Sequence, residues 1–446
     1  MNHRIALCGL LGLALPGASV FAQEAASPPA AAPPANSGYV TREEYDKLKS
    51  QLDTVVKQMG DIKKEQTVSQ AEVDKTIEDI EKDIHDNHRL INDLQLGSSK
   101  VYVGGDGHAG FTSQRKNDST FDATFSPLLV WELDKNVLFE GALDISGSTA
   151  NDIDGNPSSS TTTNLLLANI TYTVCDNFYL GGGLFAVPFA RYHQHFDAPW
   201  INKLPDDPLV FGDRAIAPSS ETGVFGGGAV PMGSTKLEYN AYVANGPALI
   251  TNGPAAGSLD FDDYTDMNNG KAYGGRIGFL PISQVDVGYS IQYSNPTPHG
   301  FGENVHALLQ AVDVQYKTDI QEIAGTLEAK GEWVWSNVSK VTYDPDGTLG
   351  FGPTRFNNDR NGGYLQLGYR PSLVGNKIIK NFEVLVRYDA INASADAPGG
   401  GNEHRWTIGL DYWVTPSVVL KTAYEFDNKE VGPNQNTFLV QCGFAL

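Results

Sequence analysis

Between residues 189 and 219 the chain gathers side chains able to carry charge, protons or a metal. They are Arg191, His193, His195, Asp197, Lys203, Asp206, Asp207, Asp213 and Arg214, with Trp200 among them. His193, His195 and Asp197 are of metal-ligating type, but two histidines in a loop are common surface features, and no metal or cofactor is expected here. The mixture of signs suits electrostatics better. In a constriction it would set a transverse field and a size cutoff. A connection of about 30 residues without structure of its own usually has a function. The same residues could instead form an outer lid that never enters a pore.

Other motifs lead nowhere. Gly105, Gly107 and Gly110 match GxGxxG, but no helix follows to cradle a phosphate. The pairs Asp152/Asp154 and Asp344/Asp346 each precede a glycine, yet no complete calcium loop surrounds them. There is no GxSxG nucleophile elbow and no CxxCH haem attachment motif. No enzymatic activity is expected.

The elements that must position the charged loop follow from composition and period. The chain has 446 residues and a net charge of −21, with 41% hydrophobic and 19% charged residues, 47 Gly and three Cys. This acidity argues against nucleic-acid binding, which needs a basic footprint. Three cysteines are too few for a disulfide-dense scaffold or a four-cysteine metal site. Residues 1–22 read as a signal peptide: Arg4, an apolar run from Ile5 to Ala14, and a small-residue site ending at Ala22. Export follows. Residues 23–40 are an Ala/Pro-rich linker.

Residues 41–97 carry apolar side chains at heptad spacing: Tyr45, Leu48, Leu52, Val55, Met59 and Ile62, then Ile77, Ile80, Ile84, Ile91 and Leu94 after a skip in phase. So narrow a stripe predicts an α-helical coiled coil with a stutter.

Residues 101–446 show a different period. Sixteen segments alternate apolar and polar residues: 101–114, 119–134, 136–148, 163–175, 177–188, 220–232, 235–246, 271–281, 285–295, 303–318, 322–336, 361–371, 382–391, 404–415, 418–427 and 436–446. Connections after even segments are tight, with the one after the twelfth longer. Those after odd segments include 149–162, 189–219, 247–270 and 337–360. An even strand number with loops sorted by parity predicts an all-β chain: a 16-stranded antiparallel transmembrane β-barrel.

Alternation also assigns faces. Trp406, Ile408, Leu410 and Tyr412 are expected to face lipid, and Thr407, Gly409 and Asp411 the lumen. The same parity places Glu140, Asp144, Glu238, Arg276, Glu328, Lys330, Arg370, Arg387, Asp411 and Lys421 inside. Asp122, Glu132, Lys236, Asp286, Asp313, Lys317, Glu332, Glu383, Asp389 and Glu425 join them. Acids outnumber bases in this set, which predicts a water-filled lumen of weak cation preference. The final ladder of Phe438, Val440, Cys442, Phe444 and Leu446 points outward and puts Cys442 far from Cys175, so no disulfide is expected.

The barrel region resembles general bacterial porins, and specifically the phosphate-selective porin O and P superfamily. The resemblance rests on the strand number, the terminal ladder, the segment from Gly181 to Tyr192 (GGGLFAVPFARY) and the following LPDDPLV from Leu204 to Val210. It implies an outer-membrane location, a terminal strand of the kind read by the barrel assembly machinery, and a third loop folded inward to narrow the channel. It implies that the coiled coil is a periplasmic extension. Leu446 stands where the family pattern ends in Phe. A phosphate pore needs a ladder of bases that the inward set does not supply.

Three readings follow. The first is a diffusion porin in contact with lipid and lipopolysaccharide, a homotrimer with a trimeric coiled coil below it. The second is a structural tether whose coiled coil reaches the cell wall. The third is a sheath barrel around an electron-transfer partner.

Overall fold

The computed structural model describes residues 99–114, 119–151, 157–261, 270–343 and 352–446, together with scattered positions between 42 and 58. The chain divides into two units, Met1–Leu94 and Gln95–Leu446. In the first, the described positions between 42 and 58 are helical, and Thr54 Oγ1 donates to Ser50 O at 2.8 Å. The signal peptide, the linker and most of the heptad stripe, including its stutter, lie outside the described residues.

The second unit is a closed barrel of 16 antiparallel strands. They are β1 (Lys100–Gln114), β2 (Thr120–Asp134), β3 (Val137–Asn151), β4 (Pro157–Cys175), β5 (Phe178–Ala186), β6 (Ser220–Met232), β7 (Thr235–Ala244) and β8 (Ala272–Ile282). Then follow β9 (Val285–Ser294), β10 (Ala307–Ile320), β11 (Gly325–Val338), β12 (Arg360–Arg370), β13 (Phe382–Ala393), β14 (Glu403–Thr415), β15 (Val418–Lys429) and β16 (Thr437–Ala445). Each strand pairs with its sequence neighbour, and β16 closes on β1, with Gly110 opposite Gln441 and Phe111 opposite Val440. Closure leaves no unpaired strand edge. With an even strand number, β1 begins and β16 ends on the same rim, that of the short turns.

The period-2 pattern forms strands because it gives each one an apolar and a polar face. Directly opposed residues share a face, so the register fixes the whole surface. Outside lie Tyr289, Ile291 and Tyr293 of β9, Trp406, Ile408 and Leu410 of β14, and Phe438 and Val440 of β16, all exposed. A belt of large exposed apolar side chains around a closed barrel is a lipid-facing surface. Inside, the polar positions of the same strands are covered, so that along β14 Glu403, Arg405, Thr407 and Asp411 are buried. Cys175 and Cys442 are both free.

Several boundaries differ from the sequence expectation. β4 begins at Pro157 rather than 163 and β3 runs on to Asn151. The added stretch is mostly Ser and Thr, which has no hydropathic alternation to read. It pairs through hydroxyls, Ser146 to Thr162 at 2.7 Å and Ser148 to Ser160 at 3.2 Å. β10 begins at Ala307 rather than 303. There Val305 N donates to Thr297 Oγ1 at 2.7 Å, holding the chain in the loop instead of the ladder.

On the long-loop side, two short hairpins, Ala248–Leu249 with Leu259–Asp260 and Thr342–Tyr343 with Thr354–Arg355, stand outside the barrel sheet. Leu249, Phe261, Tyr343 and Phe356 pack with Ile216 and Ala217 of the long loop in one buried apolar cluster.

Candidate functional site: the inward loop and the lumenal wall

The connection 187–219 leaves β5 and turns into the barrel. Val187, Phe189, Ala190, Tyr192, Leu204, Leu209 and Val210 on it are fully buried. Its one helical piece is the five-residue π-turn Tyr192–Phe196. Apolar packing alone does not hold it; three groups of ions do.

The first group lies at the root of the loop. Ala190 N donates to Ser290 Oγ at 2.9 Å, and Arg191 N to Glu332 Oε2 at 2.9 Å. The Arg191 guanidinium pairs with Asp286 and stands 3.9 Å from Glu238. Arg276 pairs with Asp313 through two nitrogens, at 3.0 and 2.6 Å, and reaches Asp286 at 3.6 Å. Lys236 pairs with Glu238 at 2.7 Å.

The second group lies toward the short-turn rim. Lys203 Nζ donates to Glu328 Oε2 at 2.7 Å and also to Glu383. Burial opposes the lysine's charge, but the two carboxylates outweigh it and hold its pKa above the ordinary lysine value. Lys421 Nζ donates to Pro199 O, and to Gln441 Oε1 at 2.7 Å. Asp411 is fully buried opposite Lys421 in the ladder. Lys330 sits 4.3 Å above the Phe196 ring.

The third group clamps the loop's second half. Arg387, wholly buried, donates to Asp206 at 2.9 Å, to the carbonyls of Asp206 and Asp207, and to Asp389 at 2.7 Å. Arg405 reaches the same Asp206 at 3.0 Å and Asp213 at 3.4 Å. Arg214 reaches Glu403 at 3.2 Å and the carbonyl of Gly399 at 2.9 Å. Burial raises the Asp206 pKa, but Arg387 and Arg405 outweigh it and the net direction is downward. Asp207 has no such partner. Burial, then Asp197 and Asp206, push it up to about 6, although Tyr192 OH donates to it at 2.6 Å.

Two glycines let the loop lie flush on the wall. A Cβ at Gly409 would stand 2.5 Å from Leu204 Cδ2, and one at Gly443 2.6 Å from Pro199 O. Leu204 accordingly packs with Leu385, Ala423 and Leu439 on the inner face of β13, β15 and β16.

The opposite wall is built differently. Strands β2 to β6 contain no Lys or Arg. The inward positions of β1 to β3 carry Asp106, His108, Asp122, Thr124, Ser126, Glu140 and Asp144, paired in register and only partly covered. His108 Nε2 and Asp122 Oδ2 are 2.7 Å apart, and Ser126 Oγ donates to Asp144 at 3.0 Å. From the loop, Asp197 keeps 46% of its side chain exposed and holds His193 Nδ1 at 3.2 Å. Asp106 interacts electrostatically with both Asp197 and Asp144.

The predicted residues thus fall into two sets. Arg191, Lys203, Asp206 and Arg214 join the loop to the lumenal wall, together with Glu238, Arg276, Glu328 and Arg387. Asp207 is half-buried within the loop, and Asp197 stays open to water. Asp213 is exposed at the clamp's edge. Burial works against charge on His193, but Asp197 outweighs it, so its pKa rises. His195 is exposed on the loop, and partial desolvation beside Arg191 lowers its pKa. Among the described residues no group of three or more His, Cys, Asp or Glu side chains is set to hold a metal ion. Arg370 lies at the short-turn end, where its Nε donates to Lys380 O at 2.9 Å and its guanidinium stands over Trp413. Sequence reasoning missed Glu403 and Arg405, although the parity of Thr407 and Asp411 already put both inside. It also missed Asp106, on a glycine-rich strand where both faces are small.

No family model matches the chain, and no curated protein matches it by sequence. Among solved structures, an anion-selective porin from Comamonas acidovorans aligns over 78% of this chain and 100% of its own, at 12% identity and a TM-score of 0.48. Salmonella typhi OmpF, in complex with daunomycin, aligns over 78% and 98% at 11% identity and 0.47. Pseudomonas putida OprB at low pH aligns over 78% and 92% at 9% identity and 0.45.

Proposed function

We propose that this protein is an outer-membrane porin, a water-filled channel for passive diffusion of small hydrophilic solutes or ions, with a weak preference for cations. One observation carries the reading. A closed barrel with an apolar outer belt holds a charged loop on one side of its lumen, while carboxylates and hydroxyls on the other side stay open to water. A barrel of 16 strands is wide enough for a lumen beside such a loop. A soluble barrel would turn its apolar face inward, and this one turns it outward. The loop then acts as the constriction, with Asp197 on its open side.

The preference for cations follows from which charges are compensated. The inward bases Arg276, Arg387 and Arg405 are each bound to two or more carboxylates. That arrangement does not suit a phosphate pore, which needs free cationic groups along the path. The homotrimer, its contact with lipopolysaccharide and a periplasmic coiled coil complete the proposal. Single-channel recording of the purified protein in planar bilayers, under a KCl gradient, tests it. Stepwise insertion in threes with a reversal potential of cation sign is the expected result. A protein that inserts without conducting would sink it and favour a tether.

A further inference from the structure

Asymmetry of the lumenal wall carries one step further, resting on the channel reading. We propose that the conducting path is one-sided. It runs between the inner face of β1 to β4 and the open side of the loop, and Asp106, Asp144 and Asp197 set its selectivity for small cations. The ions on the far side of the loop act as latches that fix the width of the path.

Three observations lead there. First, the inward positions of β14 alternate with exposed ones as buried residues, whereas those of β2 alternate as half-buried ones. Solvent therefore reaches the second wall and not the first. Second, the buried wall is charge-compensated. Arg387 is held by Asp206 and Asp389, Arg405 by Asp206, Glu425 and Glu403, and Arg276 by Asp313 and Asp286. Opposite charges paired within one ion-pair distance leave little field beyond a few ångströms. Third, the open wall has little to cancel its acids, since β2 to β6 lack Lys and Arg, and of the cationizable groups of that parity on β1, His108 is bound to Asp122 and Lys100 stands at the short-turn end opposite Glu132. The low-dielectric barrel wall strengthens what is left.

Hydroxyls continue the path outward. Ser126 and Thr124 on β2, Ser146 and Ser148 on β3 and Thr162 and Ser160 on β4 form a row of inward oxygens beyond the carboxylates. Such a row exchanges hydrogen bonds with hydrated cations and protonated amines without adding charge. The loop's Arg191, Lys203 and Arg214 stay out of the path, since all three turn to the wall behind.

The experiment uses the full-length protein in planar bilayers under a KCl gradient, comparing wild type, the triple variant Asp106→Asn/Asp144→Asn/Asp197→Asn, and the single Asp144→Arg. The potassium-over-chloride permeability ratio is expected to fall about three-fold or more in the triple variant and to invert in Asp144→Arg. Conductance near the wild-type level with an unchanged ratio in both variants overturns the one-sided path and leaves the channel reading intact. An anion-preferring wild type overturns the path as well. Loss of all conductance in the wild type overturns the channel and the path together. If the triple substitution prevents folding, the single variant decides.

Discussion

The inner faces of β1 to β4 and of β9 to β16 are written in the same alternating pattern and end up electrostatically opposite. Both carry several acids. On the later strands most acids meet a base, from the wall or from the loop, Glu332 instead accepts from Arg191 N and Tyr364 OH, and most of the set is buried. On the earlier strands Asp106, Glu140 and Asp144 meet hydroxyls and amides. The lesson is that the number of inward charges says little about a lumen. What matters is whether each charge is compensated, and compensation depends on where one loop comes to rest.

The comparison breaks most readily at the clamp. Arg387→Met leaves the buried Asp389 without its cation and Asp206 with Arg405 alone, and removing one partner of a buried pair costs about 3–5 kcal/mol. The expected outcome is lower resistance to urea unfolding, new protease cleavage within 187–219, and a larger unitary conductance as the loop releases. The same loss with an intact, protease-resistant loop would show that the ion pairs do not hold it.

A second break is steric. Gly409→Val drives a side chain into Leu204, and overpacking of this kind costs about 1–3 kcal/mol. The loop should shift toward β1 to β4 and narrow the path, so conductance should fall where Arg387→Met raises it. Planar-bilayer recordings of the two variants side by side give the sign directly.

A third test uses pH. Burial, with Asp197 and Asp206, lifts the folded Asp207 carboxyl to about 6, above its unfolded value. Protonation then favours the folded state. The group's contribution is complete below pH 4 and is lost as pH rises through about 6. Asp207→Asn should flatten the pH dependence of loop protection from proteolysis between pH 4 and 7. An unchanged slope would assign that dependence to another group.

The smallest effect is expected on the open wall. Asp144→Asn removes a half-buried charge that has no ion-pair partner and keeps an oxygen for Ser126, so stability should change by no more than about 0.5 kcal/mol. A larger loss in urea unfolding would mean that this wall, too, is structurally engaged.

Much of this was legible in advance, and for a definite reason. Strand number, facing and loop parity follow from a period of two, which survives in the sequence because lipid and water solvate opposite faces. The positions of β9, β13 and β14 could be read almost to the residue. The Ser/Thr extension of β3 and β4 could not, because hydroxyl residues carry no hydropathic contrast. The charged loop was visible as composition, but its partners were not. Arg191 bonds to Glu332, Lys203 to Glu383 and Pro205 to Gln441 across 141, 180 and 236 residues. No local spacing encodes such pairs. Asp106 was hidden among glycines, where neither face stands out.

Those long separations also impose an order of events. The loop is made after the fifth strand, yet nearly every group that holds it belongs to the ninth strand or later, and its last anchor, Gln441, lies in the sixteenth. Until the carboxyl-terminal quarter arrives, Asp206 and Arg214 have no seat, and Lys203 has one of its two carboxylates. Non-local pairing of this kind is slow. The hairpins can assemble one upon the next, but full docking of the loop and the β1–β16 seam must both wait for the last segment. A truncated or stalled chain would therefore present an open sheet with the second half of its charged loop undocked, and a finished one seats that half in the same late step that makes it a barrel.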